Sequence, residues 1–346
     1  MSMDSWKDPA KSPHARQVLL NTGYNPRSDL PFSRTLEDDM QRLPYRRRKG
    51  EEKTVIHWGQ RKLLMSEIEF LSFFSEPGKT VVYAGAAPGT HIAYLSCMFP
   101  DLHFICVDPA PFTVKETDQI TIVQALFTNE MAKRLGEEHP GLLFISDIRS
   151  ADWDLDNNQI IEQKVKRDMT MQQDWHMLMK PMRSMLKFRL PWAPGTTSYL
   201  DGDMYLPVWG PITTTETRLI SKENTTTLIE YDHKKYEEQL FHFNTVVRPA
   251  LYPHDVRAEG VDHCYDCRAE IHILSRYLEK FKSVPKWQLA HEVQAMSLAI
   301  SKNIARGRTL MDSNPDPEDR KKRMRVNQWI NGKPAYDTHA RIEPGL

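Results

Sequence analysis

The stretch Tyr83-Ala84-Gly85-Ala86-Ala87-Pro88-Gly89-Thr90-His91 decides how the rest of this chain is read. It follows the β-branched run Thr80-Val81-Val82 and leads into an apolar helical stretch ending at Met98. A strand that passes through a glycine turn into a helix opens a βα unit. Gly85 lets the backbone turn without a side chain, and Gly89 leaves room for a ligand at the helix N-terminus. The spacing is Gly-x-x-x-Gly, not Gly-x-Gly-x-x-Gly, and no Gly-Lys-Ser/Thr sits in the turn. A P-loop is therefore excluded here and a dinucleotide site is disfavoured.

Outward from the turn, strands and helices alternate. His103 to Val107, Ile120 to Leu126, Gly141 to Ser146, Ser184 to Leu190, Met204 to Val208 and Thr217 to Ile220 read as strands. Trp58 to Phe74, His91 to Met98, Thr128 to Glu138 and Gln159 to Met179 read as helices, as do His233 to Val247, Asp262 to Phe281 and Trp287 to Arg306. This order predicts an α/β fold with a central, mostly parallel sheet flanked by helices. Asp108 closes the second strand, where a carboxylate can accept both ribose hydroxyls of an adenosine cofactor. With the glycine turn, that makes S-adenosylmethionine the favoured cofactor.

Lys+Arg and Asp+Glu both number 46, so any contact with nucleic acid must use a local basic patch. Arg46 to Lys49 and Arg320 to Arg325 are two such runs. Four cysteines are too few for a disulfide framework and fit a reducing compartment. Met1 to Lys11 is polar, so no signal peptide is expected, and no stretch reads as a membrane helix. The expected organisation is an extended arm over 1–54, a catalytic domain with C-terminal helices over 55–310, and a polar tail over 311–346. Cys264 and Cys267 sit on one helical stripe with Ile271, Leu274 and Leu278. Despite His254, His263 and His272 nearby, they read as core cysteines, and no metal is expected.

Four polar residues stand out among these elements. Asp147 follows the apolar strand at the end where open α/β sheets bind ligands. Alternation puts Lys187 and Arg189 on one face of their strand and Leu186, Phe188 and Leu190 on the other. Glu216 opens a later strand beside Arg218, and Lys62 lies in the helix before the first strand. Each alone reads as an ordinary solvated charge.

Together, with the glycine turn and Asp108 between the first two, they resemble the Lys-Asp-Lys-Glu tetrad of RNA 2′-O-methyltransferases. The resemblance is closer to the poxviral cap-specific mRNA 2′-O-methyltransferase family, whose members also serve as small subunits of viral poly(A) polymerase. It rests on Gly59-Gln60-Arg61-Lys62-Leu63-Leu64, the glycine turn, Ile145-Ser146-Asp147-Ile148-Arg149-Ser150, Leu186-Lys187-Phe188-Arg189-Leu190-Pro191-Trp192 and Thr215-Glu216-Thr217-Arg218-Leu219. Weaker matches at Tyr236-Glu237-Glu238 and Ile271 to Arg276 extend it over about residues 55 to 280.

The resemblance implies a Rossmann-like S-adenosylmethionine-dependent methyltransferase. It would act on the 2′-OH of the first transcribed nucleotide of capped mRNA, in the host cytoplasm or virion of a large DNA virus. Lys187 would be the general base, oriented by Asp147, with Lys62 and Glu216 completing a cluster of zero net charge. Gln60, Tyr83, Gly85, Gly89, Asp108, Phe127 and Asp147 would line the cofactor site. The family has an arginine two residues beyond the Asp108 position, where this chain has Ala110, and Arg149 is the expected substitute. In the cap and RNA site, Trp192 would stack on 7-methylguanine and Glu237 would bind its edge. Tyr45 or Tyr24 would be the second aromatic, with Arg189, Leu190, Pro191, Thr214, Thr215 and Glu216 beside them. The family's other cap carboxylate falls on Pro194. A poly(A) polymerase catalytic subunit is a further implied partner. Two alternatives are an RNA-binding processivity subunit with methyl transfer secondary, and an FtsJ-like methyltransferase of structured rRNA.

Overall fold

Five parallel strands form the body of the sheet: β1 (Thr80–Ala84), β2 (His103–Val107), β3 (Ile120–Val123), β4 (Leu143–Ser146) and β5 (Arg183–Phe188). They belong to a computed structural model that describes residues 27–46, 59–151, 156–210, 214–257, 260–305, 329–330 and 333–334. The β1 strand lies between β2 and β4, with Val82 in register with Ile105 on one side and Phe144 on the other. From β1 the chain steps outward to β3, then returns to start β4 on β1's other side. Right-handed crossovers therefore place helices on both faces, and the reversal opens a crevice at the carboxyl ends of β1 and β4. The central strands are apolar throughout because both faces are covered, and Val81, Val82, Phe104, Leu143 and Phe144 are fully buried.

Beyond β5 the sheet turns antiparallel. The next strand is β8 (Thr217–Ser221), with Lys187 opposite Arg218, and β7 (Gly202–Tyr205) forms the following one. Two further strands, β6 (Thr196–Leu200) and β9 (Leu228–Asp232), pair with each other outside this sheet. The sequence gives little sign of that pair, since Thr196-Thr197-Ser198 is polar and its partner is distant along the chain. The expected strand over Met204 to Val208 is also shifted. It ends at Tyr205, because Pro207 has no N–H to pair and Leu206, Val208 and Trp209 turn into the core.

The helices are α1 (Gly59–Phe74), α2 (Ile92–Met98), α3 (Asn129–Glu138), α4 (Asn158–Met179), α5 (His233–His242), α6 (Tyr265–Phe281) and α7 (Lys286–Ala305). Thr128 and Asn157 cap α3 and α4 through side-chain oxygens, and Lys180 ends α4 in a left-handed conformation just before Pro181. The helix expected over His233 to Val247 changes type at Phe243, where a π-helical turn runs to Val247. The β-branched run Thr245-Val246-Val247 crowds a regular turn there, and Thr245 Oγ1 donates back to the Phe241 carbonyl at 2.6 Å.

Residues 27–46 form no helix, yet they are tied to the core. Leu36 N donates to the Met204 carbonyl at 2.7 Å and Leu206 N to the Arg34 carbonyl at 2.8 Å, so this stretch borders β7. Arg34 is buried and pairs with Glu69 of α1 at 2.9 Å. No helix among the described residues is long and apolar enough to cross a membrane. Tyr24, residues 47–49 of the first basic run, and Arg320 to Arg325 lie outside the described residues.

Candidate active site

The glycine turn sits at the crevice between β1 and β4. Gly85 has φ +82° and Gly89 has φ +67°, values that side chains resist. A Cβ on Gly85 would stand 2.9 Å from Ile148 N, so this glycine lets the turn pass directly over the backbone after β4. A Cβ on Gly89 would meet Val114 Cγ1 at 2.8 Å, so the turn packs closely against Val114 there. Asp108 is buried, and its two oxygens accept the Ala87 and Ala110 amides at 3.2 and 2.8 Å. It thus braces the turn from the end of β2. Tyr83 is buried beneath the turn, and burial followed by the nearby Glu67 carboxylate pushes its hydroxyl well above the usual range.

Phe127 points into the core, stacked on Phe144 with ring centres 5.9 Å apart and against Trp175 at 4.8 Å. Gln60 lies in the first turn of α1, and its side chain is outside the described part.

Lys62, Asp147, Lys187 and Glu216 come together from α1, the end of β4, β5 and the start of β8. Lys187 Nζ lies 3.0 Å from Asp147 Oδ1 and 3.9 Å from Glu216 Oε2, and Lys62 Nζ lies 3.3 Å from Glu216 Oε1. Two arginines complete the cluster. Arg218 spans both carboxylates, at 2.7 Å from Asp147 Oδ1 and 3.3 Å from Glu216 Oε1. Arg149 pairs with Glu216 Oε2. The charges of the tetrad itself sum to zero, and the two arginines add positive charge beside Asp147 and Glu216. Arg149, the expected substitute for the arginine missing at Ala110, thus stands in the Lys-Asp-Lys-Glu cluster through its pairing with Glu216.

The electrostatics follow from burial and these neighbours. Burial, then the Arg149 guanidinium, pulls the Lys187 ammonium below the ordinary lysine range despite both carboxylates. Burial opposes ionisation of Asp147 and Glu216, but Lys187 and its cationic neighbours outweigh it and hold both carboxyls low. The arrangement is thus a lysine that holds its proton less tightly than usual, fixed between two carboxylates whose own pKa values are lowered.

The scaffold around Lys187 explains its precision. β4 ends beside Leu186, leaving the Lys187 backbone without a strand partner on that side. Gln172 of α4 takes that place, accepting from Lys187 N at 3.2 Å and donating to its carbonyl at 3.0 Å. Asp168, one turn earlier, accepts both Ser150 N and Oγ at 2.7 Å, which holds the loop after Asp147. Lys62 is aimed by its neighbour Arg61, which is locked in the core by Glu270 at 2.6 Å and Ser301 at 2.8 Å. Sequence reading missed Gln172, Asp168 and the role of Arg218. Only Arg218 carried a local signal, its i, i+2 spacing from Glu216 on one strand face.

The expected cap residues gather around α5. Trp192 is 39% exposed, and the Arg189 guanidinium lies 4.2 Å from its ring centre. Glu162 of α4 pairs with Arg189 and accepts Trp192 N at 2.9 Å. Leu190 is buried, and Pro191 is half-buried. Glu237 is half-buried on α5, where burial followed by Glu238 raises its carboxyl above the usual value. Tyr45 packs edge-on against Phe241, one turn along α5 from Glu237, with ring centres 5.5 Å apart. His233 ties the loop after Trp192 to the start of α5, bonding the Ala193 carbonyl and Thr197 Oγ1 at 2.7 Å each. Thr214 Oγ1 caps Glu216 N at 3.0 Å, and the Thr215 carbonyl accepts Tyr236 at 2.6 Å. These bonds support the start of the Glu216 strand.

A family model described as poly A polymerase regulatory subunit matches residues 29–305. A cap-specific mRNA (nucleoside-2′-O-)-methyltransferase of myxoma virus (strain Lausanne) is 28% identical over 218 residues, covering 57% of this chain and 63% of the relative. One of fowlpox virus (strain NVSL) is 28% identical over 216 residues, covering 56% and 68%. The chain thus spans under two thirds of the myxoma relative's length. A solved structure of bluetongue virus VP4, described as a multifunctional RNA-capping production line, has a TM-score of 0.39 at 10% identity, covering 59% of this chain and 33% of that one.

Proposed function

The chain belongs to the poly A polymerase regulatory subunit family, and from that premise and the charge cluster we propose that it is a cap-specific mRNA 2′-O-methyltransferase. The observation that carries this reading is Lys187, buried between Asp147 and Glu216 at the carboxyl edge of the sheet, beside the glycine turn.

The crevice fits S-adenosylmethionine. It lies where the strand order reverses, between a glycine turn and two strand-end carboxylates, Asp108 and Asp147. The buried Ser146 Oγ there has no partner. Tyr83, Gly85, Asp108 and Asp147 border this site, and Gln60 belongs to α1 beside it. When bound, S-adenosylmethionine supplies a methyl on a positively charged sulfur. The 2′-oxygen must be aimed at that methyl and lose its proton as the bond forms. Lys187 Nζ takes the proton, which a lysine of ordinary pKa near 10.4 does poorly at neutral pH. Asp147 and Glu216 orient that nitrogen, while Arg218 and Arg149 keep its neutral form accessible. Lys62 steadies Glu216. The surplus positive charge also favours the anionic RNA backbone.

Trp192, Glu237 and Tyr45 form the cap site in this reading. A ring carrying positive charge, such as 7-methylguanine, stacks well on tryptophan and is favoured by a half-buried carboxylate. Arg189 positions Trp192. The family description supports a second role as partner of a poly(A) polymerase catalytic subunit, and the relatives' viral origin supports action in host cytoplasm or the virion.

The test is methyl transfer to capped and uncapped versions of one short RNA, with the modified nucleotide identified after digestion. The expected product is a 2′-O-methyl on the first transcribed nucleotide of capped RNA alone. Equal modification of both RNAs would overturn the cap reading in favour of a structured-RNA methyltransferase. A methylated base would overturn the 2′-O assignment itself.

A further inference from the structure

The start of α6 lies outside the proposed methyl-transfer site. There one ligand atom each from Asp262, Cys264 and Cys267 lies within 4.8 Å of the other two. The stripe shared with Ile271 and Leu274 accounts for the burial of the two cysteines. Beside both sulfurs stands the Asp262 carboxylate, held there through Oδ1, which accepts Cys264 N at 2.8 Å. We propose that this cluster, with His254 as fourth ligand, is a structural zinc site.

The donors suit that ion. Zinc takes thiolate, imidazole and carboxylate ligands in a tetrahedron, and Zn–S bonds of about 2.3 Å set two sulfurs about 3.8 Å apart. Closing the three grouped ligands onto an ion therefore asks for movements of about 1 Å, and His254, which stands outside that group, must swing in to join them. His254 is already in the tautomer a metal requires. Its Nε2 donates to the Asp262 carbonyl at 2.7 Å, which leaves Nδ1 as the lone-pair nitrogen, and that buried atom has no hydrogen-bond partner. An imidazole that ligates a metal through one nitrogen and donates to a backbone carbonyl through the other is the usual outer-shell arrangement. The sulfurs are likewise supported, since Asp262 N donates to Cys267 Sγ at 3.2 Å.

Charge balance agrees. Binding releases the two thiol protons, and two thiolates with one carboxylate around a divalent ion leave one negative charge. That charge sits at the N-terminus of a 17-residue helix, the end that favours anions. The place also gives the ion a purpose. Asp266, on the same first turn, accepts Trp209 N at 3.1 Å and pairs with Arg248 at 2.9 Å, and Arg248 holds the Gly210 carbonyl at 2.6 Å. An ion fixing this turn would hold the anchors of Trp209 and Gly210 in place.

The experiment uses full-length protein stripped of metal by a chelator and titrated with Co2+ alone, then Zn2+. One equivalent of Co2+ should give thiolate-to-metal charge-transfer absorption and intense tetrahedral bands, both abolished by Zn2+, and Zn2+ should raise the thermal midpoint. Cys264→Ser and Cys267→Ser should each weaken Co2+ binding about a hundredfold or more, and His254→Gln about tenfold, whereas Cys97→Ser, on α2, should leave it unchanged. Folding of the serine variants need not be assumed, because the wild-type spectrum decides the matter first. Absence of thiolate bands in the wild-type protein would overturn the site, as would bands that survive the Cys264→Ser, Cys267→Ser double variant. Ready formation of a Cys264–Cys267 disulfide without any Co2+ signal would overturn it in favour of a redox pair.

Discussion

Arg218 offers the sharpest test of the active-site chemistry. Its guanidinium and the Lys187 ammonium both touch Asp147 Oδ1, at 2.7 and 3.0 Å. Their nitrogens are therefore at most about 6 Å apart, and at an effective dielectric near 20 they repel by about 3 kcal/mol. That repulsion disfavours the protonated lysine. Arg218→Met keeps most of the stem and removes the charge, so the Lys187 proton should be held more tightly. If the whole repulsion acts on the base, about a hundredfold less lysine is neutral at pH 7. We expect a ten- to hundredfold loss of methyl transfer at neutral pH that diminishes as pH rises. The sign follows from the role of the base: activity appears as pH rises through the Lys187 pKa, and losing a neighbouring cation moves that limb upward. Arg218→Lys should keep the limb near its original place. The assay is kcat/KM for labelled methyl transfer to capped RNA across the pH range, with S-adenosylmethionine affinity measured separately. An equal loss at every pH, with the limb unmoved, would refute the reasoning and reduce Arg218 to a structural tie.

Lys187→Ala should lower methyl transfer by at least about 100-fold with cofactor affinity within a few-fold; Lys187→Arg should fail as well, because a guanidinium does not lose its proton in this range, and near-normal activity of the arginine variant would remove Lys187 from the role of base. Asp108→Ala should weaken S-adenosylmethionine binding by about 1.5–3 kcal/mol, since it strips a charged acceptor from the turn amides; unchanged calorimetric affinity would show that the cofactor does not depend on the turn that Asp108 braces. Trp192→Ala should raise the half-saturating concentration of capped RNA ten- to hundredfold, from stacking worth about 1–3 kcal/mol, and Glu237→Gln should act in the same direction. An undiminished preference for the methylated cap in both variants would move the cap site off α5. Gly85→Ala should destabilise the fold by about 1–3 kcal/mol, because the new Cβ meets backbone at a left-handed φ, and an unchanged melting temperature would contradict that contact.

Much of the parallel half of the fold is legible in the residues alone. The runs Thr80 to Ala84 and His103 to Val107 are strands with the bounds that their β-branched, apolar composition predicts. The glycine turn, Asp147 at a strand's carboxyl end, and the split of Lys187 from Leu186 and Phe188 also follow from local pattern. The pairing of β6 with β9 does not, because Thr196 to Ser198 has no apolar alternation and its partner is remote in sequence. Cys264 and Cys267 show the same limit: a helical stripe predicts burial, while the approach of Asp262 and His254 depends on how the preceding loop folds back.

The chain's sequence by itself determined the alternation of the parallel strands with their helices, the turn at the crevice, and four candidate polar residues. Periodicity and turn chemistry act within a few residues, so those features are written locally. Only tertiary structure decided what the four residues become. It set β8 antiparallel beside β5, which places Arg218 opposite Lys187, and it swung Arg149 onto Glu216. It also put Gln172 where β4 stops. These contacts join residues far apart in the chain, and the pKa of Lys187 depends on charges within a few ångströms of it, a quantity that strand register and packing fix and local sequence does not.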